Sequence, residues 1–119
     1  MKTKTTKIDM IDLSVKLYIG TEEKINKHLC KERSNFKGIG YGLTKKGNKK
    51  SNVSYEIFIR NDQKVHSVTS ILVHEITHVV KRALTVLGAD EESEFRAYLT
   101  GYLFEEFEKF INKLNNEKR

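Results

Sequence analysis

Residues 73–80 read VHEITHVV. Within them His74, Glu75 and His78 spell H-E-x-x-H, residue types that together can bind a metal ion and use it. On an α-helix, positions i and i+4 lie about 40° apart at 100° per residue, so the His74 and His78 imidazoles project side by side. Both can then reach one tetrahedral zinc ion at about 2.0–2.1 Å each. Glu75 is turned about 100° from His74, so it flanks such an ion without competing to bind it. There it can take a proton from a metal-activated water. The alternative is two half-exposed helix histidines beside a solvated glutamate. Shuffling this composition yields the pattern in roughly one chain per hundred, the false-positive risk of any short motif.

A helix-borne zinc site needs one more His, Glu or Asp, with the fourth position left to water. His28 and His66 both precede the motif, and no histidine follows it. The stretch GADEESEFRAYLTGYL, residues 88–103, instead offers a glutamate cluster one tight turn after Gly88. A short connection between antiparallel helices brings the first turns of the second beside the last turns of the first. Glu94 lies nearer the level of His78 than Glu91 does. It shares a stripe with Tyr98, Gly101 and Glu105, apart from the apolar Leu99, Leu103, Phe107 and Phe110. Glu94 is the expected third ligand and Glu91 the alternative.

With these residues in place, HEITH followed by Glu94 resembles the gluzincin group of zinc metallopeptidases. VHEITHVV with EFRAYLTGYL is also similar to small HExxH proteins encoded by phages and prophages. The match covers roughly residues 70–104. The resemblance implies that His74, His78 and Glu94 bind zinc and that Glu75 is the general base. Larger gluzincins carry an acidic residue one turn after the ligand glutamate, whereas that position here is Tyr98. A tyrosine there can hydrogen-bond a ligand, stabilise an oxyanion, or simply pack. No second lobe to deepen a cleft is expected from these residues. A peptidase of this kind is expected to be minimal and to dock an extended segment on a sheet edge, with SYEIFIR (residues 54–60) as the candidate edge.

The elements that must position these residues follow from hydrophobic period. IDLSVKLYI alternates, with Ile11, Leu13, Val15, Leu17 and Ile19 on one face of a strand. A short helix follows, capped by Thr21 and burying Ile25 and Leu29. Residues 38–62 read as a hairpin: Ile39, Tyr41 and Leu43 on one arm, Val53, Tyr55, Ile57 and Ile59 on the other, Gly47 and Asn48 at the tip. Glycines 38, 40 and 42 leave one strand face bare, either for a helix packed closely above it or for a backbone or extended ligand. From about Val65 the period becomes helical, with Leu72, Ile76, Val79, Val80, Ala83, Leu84 and Leu87 on one face and Gly88 as the stop. Asp90 or Ser93 would cap a last helix from about Glu91 to Leu114. The expected fold class is α+β: a small, mostly antiparallel sheet of about three strands, a short helix and two long C-terminal helices, minimal zincin-like, in one domain over residues 1–119.

Composition narrows the function classes. The chain has 119 residues, net charge +6, no proline and one cysteine, Cys30, so no intrachain disulfide is possible. No apolar run approaches the ~20 residues of a membrane span, so a membrane partner is not expected. The charged start, MKTKTTKIDM, lacks an apolar signal core, and a cytoplasmic location is expected. Charge is uneven, +8 over residues 1–65 and −2 over residues 66–119. Most of the lysines alternate with apolar residues, as a solvated sheet face requires, and the front half has no aromatic stacking platform, so a nucleic-acid partner is not expected. Arg82, one turn beyond His78, can meet a substrate carboxylate or a glutamate, or stay solvated. His28 and Cys30 read as a surface-helix histidine and an inert thiol.

The expected function is therefore a zinc-dependent hydrolase, a metallopeptidase whose substrate is a peptide or protein, with Zn2+ as cofactor. The alternative is a catalytically inactive zincin-like phage structural or regulatory binding protein. Oligomeric state is left open by the sequence.

Overall fold

A computed structural model describes residues 1–30, 39–47 and 53–117. The chain runs β1 (Lys2–Ile8), a short 3-10 turn (Asp9–Ile11), β2 (Leu13–Gly20), α1 (Glu22–Cys30), β3 (Gly42–Lys46), β4 (Val53–Arg60), α2 (Val68–Val86) and α3 (Ser93–Glu117). The class is α+β, with a four-stranded mixed sheet in the order β1-β2-β4-β3. The outer pairs are antiparallel and the central β2–β4 pair is parallel, with Leu17 opposite Ile57.

Two expectations are corrected here. There are four strands, because KTKTTKI forms β1. Its Lys/Thr alternation carries no apolar face, and only Thr6 is buried. Antiparallel pairing with β2, turned by Asp12 in the left-handed region (φ 53°), recruits it. Short polar side chains such as Asp tolerate that conformation. The residue 54–60 strand is also not an edge. β4 is paired on both sides, and the edges are β1 and β3.

The sheet is covered on both faces. Leu13, Val15, Leu17 and Ile19 of β2 meet Tyr55, Ile57 and Ile59 of β4 beneath α2 and α3, in the main core with Ile76, Val80, Leu84, Leu103 and Phe107. On the other face Tyr18, Phe58, Ile39 and the α1 residues Ile25 and Leu29 form a smaller cluster. Lys45 sits in that face and is not a solvated lysine. Its Nζ lies 2.9 Å from Glu56 Oε1, and Tyr18 Oη donates to Glu56 Oε2 at 2.6 Å. The His28 ring packs against Tyr18 and Phe58.

Local signals set the helix ends. Thr21 Oγ1 accepts from Lys24 N, as an N-cap should. Ser67 Oγ does the same for Ser70 N at the start of α2. Gly88 (φ 71°) ends α2: Gly88 N bonds to Thr85 O and Ala89 N to Leu84 O, the paired bonds of a Schellman stop. At α3 the capping group is neither Asp90 nor Ser93. Glu92 provides it, its Oε1 accepting from Glu94 N. Gly38 and Asn48 lie outside the described residues. Among the described residues no helix is long and apolar enough to cross a membrane.

Candidate metal centre

α2 lies over β4 and β3, and α3 lies beside it on the β1 side. The helix therefore has one flank against the edge strand β3 and the other against α3. Glu75 and Arg82 turn toward β3: Thr44 Oγ1 donates to Glu75 Oε1 at 3.1 Å and Arg82 Nη1 donates to Thr44 O at 3.1 Å. His74 and His78 stand on the outer side of the same flank and are exposed.

The two imidazoles meet as the i, i+4 spacing requires. His74 Nε2 and His78 Nε2 are 3.2 Å apart, with the rings edge to face at 78°. Two nitrogens each about 2.0–2.1 Å from a tetrahedral zinc would be about 3.3–3.4 Å apart, so the pair already has the spacing of two ligands of one ion. Ligand-type atoms of His74, Glu75 and His78 all lie within 4.8 Å of one another. The pair suits zinc, since imidazole is among its usual ligands.

Glu75 is the one buried member, 5% exposed. A buried carboxylate needs a donor, and Thr44 is that donor. Gly42 makes room for it. A Cβ at Gly42 would sit 2.5 Å from Ile71 Cγ2 and 3.2 Å from Glu75 Oε2. Of the two described glycines of that run, Gly42 is thus the position where a helix packs closely on the strand, while Gly40 has open space around it.

Clefts open on either side of the histidines. One, of about 290 Å3, lies among Tyr41, Gly42, His66, Ile71, His74 and Glu75. Its outer wall is the Tyr41–His66 ring pair, 4.9 Å between centroids. The His66 backbone is held by Gln63, whose side chain accepts from His66 N and donates to His66 O. The other cleft, of about 540 Å3, runs past His78 between Lys46, Tyr55, Lys81 and Arg82. A larger hollow of about 880 Å3 lies by the start of α2 and the end of α3 and includes no member of the His-Glu-His group.

Glu94 stands outside the His-Glu-His group, and both Glu94 and Tyr98 are exposed on α3, Tyr98 strongly (74%). The physical reason is the flank. A short helical hairpin fixes that α3 returns beside α2, but not on which side, and α3 takes the β1 side while the histidines face β3. Glu91, the alternative, is likewise exposed and outside the group. Sequence reasoning missed Thr44, which touches Glu75 across 31 positions of chain, and Tyr41 and His66, which wall the smaller cleft. The GIGYG run was the available signal for the close approach at Gly42. Compared with protein-family models, curated proteins and solved structures, the chain matches none.

Proposed function

We propose that this protein is a zinc-dependent hydrolase acting on peptide bonds in the cytoplasm, with His74 and His78 holding the ion and Glu75 as general base. The observation that carries the reading is the 3.2 Å Nε2–Nε2 spacing beside a buried carboxylate. When bound, zinc supplies a Lewis acid that polarises a carbonyl and makes water nucleophilic near neutral pH. Glu75, fixed by Thr44, takes the proton of the attacking water and returns it to the leaving amine.

The edge strand β3 offers the docking line. Tyr41 O accepts from Arg60 N and Gly47 N donates to Ser54 O, so alternate residues turn inward to β4 and the peptide groups of Gly42, Thr44 and Lys46 face outward. Arg82 occupies the outward Thr44 carbonyl. An extended peptide adding to the remaining groups passes the histidine pair.

A second reading, a zincin-like binding module without turnover, is favoured by one observation: Glu94 lies outside the group, leaving two protein imidazoles where an enzyme site ordinarily has three ligands. Glu75→Gln separates the two. On the hydrolase reading it keeps zinc and loses at least about a hundredfold in kcat against a casein or peptide-library substrate. Equal rates in both proteins exclude Glu75 as the base, and no cleavage by zinc-loaded wild type favours the binding module.

A further inference from the structure

The two clefts flanking the histidines differ in charge. The smaller is walled by Tyr41 and His66 and includes no lysine or arginine. The larger, beyond His78, gathers Lys46 from β3 and Lys81 and Arg82 from α2, with no acidic residue in its walls. Among the described residues no carboxylate lies within ion-pairing distance of these three cations, although five such pairs form elsewhere. Three like charges around one hollow repel, and they focus a positive potential into it.

Two features make this arm more than a solvated surface. Arg82 is anchored, its Nη1 on Thr44 O, so the guanidinium keeps a fixed place and retains other donors for a ligand. Tyr55 reaches the cleft from β4 and is 5% exposed. Burial pushes its phenol up despite the nearby Arg82, so it stays a neutral hydrogen-bond donor.

We propose that this cationic arm binds a carboxylate of the peptide, so that the substrates taken are those with Asp, Glu or a free chain end on the His78 side of the metal centre. The inference rests on the hydrolase reading for its substrate class but has a readout of its own. Arg82 anchors the geometry, while Lys46 and Lys81 supply exposed charge that can be reversed without touching the core.

The test is fluorescence anisotropy with the full chain carrying Glu75→Gln, with and without zinc. The probes are capped heptapeptides differing only in one Glu, Gln or Lys, together with an uncapped free-acid version of the Gln peptide. The Glu peptide should bind about tenfold more tightly than the Gln peptide, with the Lys peptide weakest. Lys46→Glu with Lys81→Glu should reverse the order, at unchanged circular dichroism. A gain confined to the free-acid peptide identifies the chain terminus as the carboxylate recognised. Equal affinities for all four peptides, no binding by any, or a preference that survives the charge reversal overturns the proposal. Zinc uptake without an acidic preference defeats this inference alone, whereas an acidic preference in a protein that takes up no zinc defeats the hydrolase reading alone.

Discussion

At the scale of single residues, the site depends on the Glu75 carboxylate and the space cut for it. Glu75 is buried against β3, takes a hydrogen bond from Thr44, and has its other oxygen near the bare Cα of Gly42. Adding a methyl there meets Ile71 Cγ2 at 2.5 Å, a contact relieved only by turning the β-branched Ile71 side chain off its position or moving helix from strand. Gly42→Ala should therefore cost about 1–3 kcal/mol by urea unfolding, while Gly40→Ala, with nothing within 4 Å, should change stability by less than about 0.5 kcal/mol. Equal midpoints for Gly42→Ala and wild type would mean that the helix does not press on the strand there. His74, Glu75 and His78 were legible in the sequence because i, i+4 spacing is a property of one helix. Thr44 was not, because its contact depends on where a strand crosses that helix.

At the scale of elements, period and punctuation carried most of the information. α2 was readable from its apolar face and from Gly88, and the only misplaced member of that face is Leu87, which is 39% exposed past the last turn. β1 was unreadable because a Lys/Thr edge strand pairs through its backbone and buries almost nothing. The hairpin partner of β3 was found, but its position in the sheet was not. Whether β4 is edge or centre depends on its parallel pairing with β2, and no local signal encodes that. The lysine pattern misled in one place, since Lys45 is drawn into the α1 face by Glu56.

That Glu56 network ties β2, β3 and β4 together and makes stability pH-dependent. Burial pushes the Glu56 carboxyl up, but hydrogen bonds from Tyr18 and Lys45 outweigh it and hold the group below its ordinary value. A lowered pKa in the folded state means that the folded chain binds fewer protons. The stabilisation is therefore complete above the ordinary glutamate pKa of about 4.3 and is lost as pH falls through the folded value. The unfolding free-energy difference between wild type and Glu56→Gln should be constant from about pH 6 to 8 and shrink below about pH 4. A difference that is flat down to pH 3 would contradict this assignment.

At the scale of the whole molecule, the arrangement is one of flanks. α2 divides the upper face of the sheet, with the α3 packing on the β1 side and the histidine pair, the open edge strand and both flanking clefts on the β3 side. That division explains why the site is shallow and exposed, and why a third ligand expected on α3 does not arrive. Helix order and a tight turn could be read from residues 86–93, but the side taken by α3 is decided by its Leu99, Leu103, Phe107 and Ile111 stripe meeting the sheet. The basic excess likewise has a place that sequence averages hid. Lys46, from the basic front half, gathers beside His78 with Lys81 and Arg82 from the net-negative back half, about 35 positions further along the chain.

The most direct measurement is zinc stoichiometry by mass spectrometry, on protein purified without a metal-affinity tag and dialysed against micromolar zinc, for wild type, His78→Ala and Glu94→Ala. One zinc per chain is expected in wild type, with loss in His78→Ala and retention in Glu94→Ala, because Glu94 stands outside the His-Glu-His group. Loss in Glu94→Ala as well would show that the first turn of α3 closes on the ion and would overturn the flank argument. No zinc in wild type would contradict metal binding by His74 and His78 and leave HEITH as a helix face that only spells a metal site.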